Sequence, residues 1–151
     1  MSQSFSATYP HLVFSTKDRA PLLRDKGARA EIHAYLGGIS KQLDCVPLIT
    51  GGVEDHAHML AQLARTMTIA DWVKELKRVS TLWIKERFPA LHDFSWQSGY
   101  GVFSVSQSNT GAVEEYIANQ EAHHRKTTFQ EEYRALLQKH KIEWDERYVW
   151  E

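Results

Sequence analysis

Four short segments carry strand-like apolar patterns, two amphipathic helical stretches lie between them, and the order along the chain is strand, helix, strand, strand, helix, strand. That order predicts an α+β fold, a ferredoxin-like βαββαβ sandwich with an antiparallel sheet, helices on one face and the other face open. Two further helical stretches predict extra C-terminal helices. Residues 7–16 read as the first strand, with Leu12 and Phe14 on one face and Val13 on the other; Lys17-Asp18-Arg19-Ala20-Pro21 breaks it. Over residues 24–43, Ile32, Tyr35, Leu36, Ile39 and Leu43 recur at helical spacing, despite Gly37-Gly38. Residues 46–53 form a short apolar strand ending in Gly51-Gly52. Glu54-Asp55 turns the chain into a second hairpin strand over 56–63. Thr68 and Asp71 mark a helix start, and Ile69, Trp72, Val73, Leu76, Val79, Trp83 and Ile84 form its apolar stripe up to Pro89. Residues 94–106 are aromatic-rich, alternate at their end and read as the fourth strand. A helix over about 113–124 opens near Asn109 or Thr110. Another over about 128–139 carries a Thr128/Glu131 capping box, and an aromatic tail follows.

The chain has 151 residues, 42% hydrophobic, 25% charged and 11% aromatic, which are globular values and exclude a disordered or collagen-like chain. No repeat, low-complexity tract or linker interrupts residues 1–151, so a single domain is expected. Mean hydropathy is −0.47, and no apolar run reaches the ~18 residues of a spanning helix. The first residues lack the basic start and apolar stretch of a secretory signal. A lone Cys45 can form neither an internal disulfide nor a cysteine metal knuckle. A cytoplasmic protein without membrane partners is expected. Net charge is −1, but residues 1–87 hold 12 Lys+Arg against 9 Asp+Glu, and residues 88–151 hold 6 against 10. That asymmetry permits a local basic surface on a neutral protein.

Two constellations carry chemistry. His56-Ala57-His58 places two imidazoles on one face of a strand, where they can converge on one ion. By itself such a pair is equally a hydrogen-bonded or surface pair. Position 60 is Leu, which argues against a His-triad nucleotide hydrolase, and no HExxH is present to mark a zincin protease. Tyr116 and Gln120 lie four apart, one above the other on a helix, with His123 and His124 continuing roughly along that side. By itself this is equally the boundary of an amphipathic helix.

Together, and with their surroundings, these residues are similar to a known family. The chain resembles the single-tyrosine, His-hydrophobic-His transposases of small bacterial insertion sequences and their domesticated, repeat-palindrome-associated relatives. The resemblance starts at Tyr9 and His11-Leu12-Val13-Phe14-Ser15-Thr16-Lys17 and passes through Gly51-Gly52-Val53-Glu54-Asp55-His56-Ala57-His58-Met59-Leu60. Leu76-Lys77 and Trp96-Gln97-Ser98-Gly99-Tyr100 follow. It is strongest in Tyr116-Ile117-Ala118-Asn119-Gln120-Glu121-Ala122-His123-His124 and Phe129-Gln130-Glu131-Glu132-Tyr133. Ala57 is smaller than the usual middle residue, but its side chain points away from the histidine face.

The resemblance implies a metal-dependent transposase that cleaves and rejoins single-stranded DNA at hairpin-flanked sites. Tyr116 matches the nucleophile, and His56, His58 and Gln120 match ligands of Mg²⁺ or Mn²⁺. It also implies a homodimer, in which the Tyr helix can act in trans, and a 5′-phosphotyrosine intermediate. The residue types suit this reaction. A phosphotyrosine conserves the phosphodiester energy, and a phenol of ordinary pKa about 10 needs help to attack at neutral pH. Two imidazoles and an amide oxygen suit Mn²⁺ better than hard Mg²⁺. Lys74, Lys77, Arg78 and Lys85 share one side of the second helix and can track phosphates, as can Lys17, Arg19, Arg125 and Lys126. Tyr100 and Phe103 are candidates for base stacking, Phe103 more readily for the core. Three alternatives remain open from the residues: a domesticated palindrome-binding nickase, a non-catalytic ferredoxin-like nucleic-acid-binding module, and a metal-dependent hydrolase using water.

Overall fold

The computed structural model describes residues 2–151. Strands β1 (Tyr9–Ser15), β2 (Val46–Gly52), β3 (His56–Gln62) and β4 (Gly101–Val105) form one sheet in the order β2-β3-β1-β4. Every neighbouring pair is antiparallel, with Val13 opposite His58 and Gly51 also opposite His58. With helices α1 (Lys26–Gln42) and α2 (Ile69–Arg87) this is the predicted βαββαβ core.

Strand alternation sorts the core into two faces. Leu12 and Phe14 of β1 and Ala57, Met59 and Ala61 of β3 meet Ile32, Leu36 and Ile39 of α1 and Trp72, Val73, Leu76 and Ile84 of α2. Each aliphatic side chain fully buried there contributes about 1.5–3 kcal/mol by leaving water. Two buried indoles are hydrogen-bonded within this layer, Trp72 to Ser40 and Trp96 to Ser80, each at 3.0 Å. The face that the βαββαβ core leaves open carries the C-terminal elements α3 (Thr110–Ala118), α4 (Gln120–His123) and α5 (Phe129–Lys139). Val13 and Phe103 pack there against Phe129, Tyr133 and Leu137, with Trp144, Val149 and Trp150 of the tail over them.

The helix starts follow their caps. The Asp25 side chain accepts from Gly27 N and opens α1 two residues later than its periodicity suggests. Thr68 accepts from Asp71 N, and Thr128 and Glu131 form the full capping box of α5. Two expectations are corrected. The fourth strand covers only 101–105: Trp96 still pairs with Thr16 in an isolated antiparallel bridge, with Lys17 N donating to Ser95 O and Gln97 N to Ser15 O, and the ladder is interrupted between that bridge and Gly101. Lys77 Nζ donates to the carbonyls of Gln97, Ser98 and Gly99, Gly99 N donates to Glu151 O, and Phe94 and Trp96 turn into the α1/α2 core. The expected single helix over 113–124 is broken at Asn119, whose φ of −97° and ψ of 21° lie off the helical values.

Candidate active site

His56 and His58 leave β3 on the face turned toward α3–α5, opposite Ala57 and Met59. Two glycines make room for what joins them. Gly52 has φ +149°, and a Cβ there would sit 2.2 Å from the His56 carbonyl oxygen in the tight β2–β3 hairpin. A Cβ on Gly51 would sit 2.7 Å from the Ile117 carbonyl oxygen, so α3 lies directly on the β2 backbone. That contact, with Ile117 buried, brings Tyr116 and Gln120 to the histidines.

They converge on a residue from α5, Glu132, which is 3% exposed. Its Oε1 lies 3.2 Å from His56 Nε2 and 3.1 Å from both His58 Nε2 and His124 Nε2. Its Oε2 accepts from Gln120 Nε2 at 2.9 Å and from the Tyr116 hydroxyl. His123 Nε2 is 3.4 Å from the same oxygen but has no hydrogen-bond partner among the described residues. Gln120 Oε1 is 3.1 Å from His56 Nε2. Outer partners fix both rings: His56 Nδ1 pairs with Asp55 Oδ1 at 2.7 Å, and His58 Nδ1 with His11 Nε2 at 2.9 Å. Tyr116 also lines a cleft of about 670 Å³ between β4, α3 and α5, whose walls include His11, Phe103, His123 and Lys139.

The electrostatics follow from burial around one carboxylate. Desolvation opposes ionisation of Glu132, but hydrogen bonds from His124, His56 and His58 outweigh it and hold the group far below the usual carboxylate range. Burial pushes His56 down, and the Asp55 and Glu132 carboxylates more than reverse this and hold it up at about 9. Burial dominates for His58, whose pKa is lowered, and for His11, lowered to about 3 with help from His58. Tyr116 is pushed up strongly by burial and by the Glu132 charge. Its hydroxyl is therefore held protonated in this state.

The donor set fits a divalent ion. Both His56 and His58 present Nε2 inward while Nδ1 is engaged outward, the usual arrangement of metal-ligating imidazoles. Donors about 2.0–2.2 Å from an ion stand roughly 2.8–3.1 Å apart at cis positions of an octahedron. The His56–Gln120 separation of 3.1 Å has that scale.

The basic candidates divide into groups. Lys74, Lys77 and Arg78 ride on α2, which packs across the sheet from His56 and His58. Lys74 and Arg78 are exposed, and Arg78 is paired with Glu75 at 2.6 Å. Lys77 is spent on the three carbonyls, and burial lowers its pKa to about 8. Lys17 is exposed in the turn after β1, and the Arg19 guanidinium lies 5.5 Å from the Trp150 ring centre. Exposed Arg125 and Lys126 follow α4 beside the site, and Arg125 shares a cleft with Arg24, Lys26 and Arg29. Phe103 is core, whereas Tyr100 is 37% exposed. Sequence reasoning gave no role to His11 or Glu132. The signal for Glu132 was available: Phe129, Tyr133 and Leu137 mark the buried side of α5, and position 132 falls on it.

Comparison with known proteins adds the following. Residues 4–120 match the family described as Transposase IS200 like. Among solved structures, a protein assigned as a transposase from Deinococcus radiodurans R1 superposes with a TM-score of 0.63 and 26% identity, covering 80% of this chain and 96% of that one. A REP-associated tyrosine transposase bound to a REP hairpin gives a TM-score of 0.57 and 14% identity, over 82% of this chain and 74% of that one, a likeness of fold. No curated protein matches the chain.

Proposed function

Since the chain belongs to the IS200-like transposase family, and is thereby a DNA-processing enzyme, we propose that it cleaves and rejoins single-stranded DNA at hairpin-flanked sites through a 5′-phosphotyrosine on Tyr116. The observation that carries this reading is the convergence of the Tyr116 hydroxyl, Gln120, His56 and His58 on the two oxygens of one buried carboxylate. A nucleophile and a ligand set for Mg²⁺ or Mn²⁺ thus share one pocket.

His56, His58 and Gln120 would hold the divalent ion, which when bound would supply Lewis-acid charge to the scissile phosphate. Tyr116 Oη attacks phosphorus, the P–O3′ bond breaks, and the departing strand takes a proton to become a 3′ hydroxyl. The phenolic proton becomes strongly acidic as the Oη–P bond forms and leaves along its hydrogen bond to Glu132 Oε2. A 3′ hydroxyl attacking the phosphotyrosine later restores both the diester and the phenol. Lys74, Arg78, Lys17, Arg19, Arg125 and Lys126 bind the DNA backbone; Lys77 acts through the 97–99 loop it holds. The enzyme works as a homodimer on single strands with hairpin ends. Tyr116 lies at the His pair of its own chain, so the cis site contains every proposed group.

The test is a covalent-adduct assay on single strands containing a recognition hairpin. An adduct that forms faster with Mn²⁺ than with Mg²⁺ at equal free-ion concentration, and disappears in His58→Ala, is expected. An adduct indifferent to His58→Ala overturns the metal assignment. Cleavage that survives Tyr116→Phe shifts the reading to a water-using hydrolase, and hairpin binding without cleavage shifts it to a binding module.

A further inference from the structure

We propose that Glu132 is a direct, anionic fourth ligand of the divalent ion, an inference that rests on the His56/His58/Gln120 site above. Glu132 belongs to α5, beyond the residues 4–120 that match the family. Three observations carry the assignment. The first is burial without a permanent counter-charge: the side chain is 2% exposed, and among the described residues its ion-pair partners are all histidines, with no Lys or Arg. A carboxylate so placed is costly to bury, and once both imidazoles are neutral, as ligation requires, the bound ion supplies the compensating charge. The second is distance. Glu132 Oε1 stands 3.2 Å from His56 Nε2 and 3.1 Å from His58 Nε2, close to the ~2.8–3.1 Å between cis donors about 2.0–2.2 Å from one ion. The third is division of labour within the carboxylate. Oε1 faces the Nε2 atoms of His56, His58 and His124, while Oε2 accepts from Tyr116 and Gln120 and lies near His123. One oxygen is thus available to the ion while the other remains with the nucleophile.

The chemistry agrees. Two neutral imidazoles and an amide leave a dication uncompensated, whereas a carboxylate adds a negative charge and the hard oxygen donor that Mg²⁺ and Mn²⁺ prefer. Glu132 also ties α5 to β3 through the ion, which makes the C-terminal region part of the metal site.

The full chain is titrated with Mn²⁺, and the free ion is read by electron paramagnetic resonance. Wild type, Glu132→Gln, Glu132→Asp and His58→Ala are compared, with melting in EDTA to establish that each is folded. Losses of outer partners already cost about 10–100-fold in metal affinity, so Glu132→Gln is expected to weaken Mn²⁺ binding at least about tenfold. Glu132→Asp keeps the charge but withdraws the oxygen by one methylene, so it too weakens binding if the contact is direct. If Glu132→Asp binds as wild type does, the carboxylate acts by its charge and is not a ligand. If both Glu132 variants bind as wild type does while His58→Ala loses the ion, Glu132 has no part in the metal site, and the histidine site stands. If wild type and His58→Ala bind Mn²⁺ equally or not at all, the underlying site reading fails and takes this inference with it.

Discussion

Gly51→Ala perturbs the nucleophile from the far side of its helix. The new methyl carbon would lie 2.7 Å from the Ile117 carbonyl oxygen and 2.8 Å from Ile117 Cγ2. Carbon contacts settle at about 3.5–4.0 Å, so α3 must lift from β2 by close to ~1 Å. Overpacking of this kind costs about 1–3 kcal/mol. Tyr116 adjoins Ile117 and moves with it, whereas His56 and His58 on β3 stay in place. A ~1 Å displacement of a reacting group can cost about 10²-fold in rate. Single-turnover adduct formation at saturating Mn²⁺ is therefore expected to slow about 10–100-fold, with a lower melting temperature. Mn²⁺ affinity should fall much less, since only Gln120 among the three His/Gln ligands follows the moving helix. An unchanged adduct rate and melting temperature would refute the claim that the β2–α3 contact sets the position of Tyr116.

Four further outcomes follow from the structure. Gly38 lies inside α1 with open space where a Cβ would stand, so Gly38→Ala should stabilise the protein by about 0.4–1 kcal/mol in urea unfolding; destabilisation would contradict the packing of α1. Lys77→Met should cost about 1.5–3 kcal/mol by orphaning carbonyls held by a charged donor and should loosen the 97–99 loop. Exposed Lys74→Ala should leave stability within about 0.5 kcal/mol but flatten the salt dependence of DNA binding. In EDTA, the His56 pKa of about 9 exceeds its unfolded value near 6.5, so its stabilising contribution is full below about pH 6.5 and is lost as pH rises through about 9. His11, held down at about 3, acts in the opposite sense and penalises the fold as pH falls below about 6.5. Asp55→Asn should flatten the alkaline limb alone in a series of melts against pH; an unchanged alkaline limb would contradict the Asp55–His56 pairing.

The parts of the site legible in the sequence are those governed by local periodicity. A period of two puts His56 and His58 on one strand face, and a separation of four stacks Tyr116 over Gln120, even though Asn119 breaks the helix between them. That break is invisible in Ile117-Ala118-Asn119-Gln120, because no residue there forbids a helix. The strand expected from residue 94 is interrupted for a tertiary reason: Trp96 still bridges Thr16, but Lys77 and the chain end capture backbone groups of residues 97–99 that a continuous ladder would have used. Spacing also placed Lys74 and Arg78 on one helix side, but it carries no information on which sheet face that helix covers. The packing puts them opposite the histidines. Glu132 shows the converse: helical arithmetic already set a charge on a buried face, and only the fold revealed what it meets.

The most direct test of the account labels a hairpin-bearing single strand at either its 5′ or its 3′ end and follows each label after incubation with Mn²⁺ and denaturation. A 5′-phosphotyrosine requires the 3′-labelled fragment to remain on the protein, the 5′-labelled fragment to be released with a free 3′ hydroxyl, and the adducted peptide to contain Tyr116. Retention of the 5′-labelled fragment, or an adduct that persists in Tyr116→Phe, would contradict it.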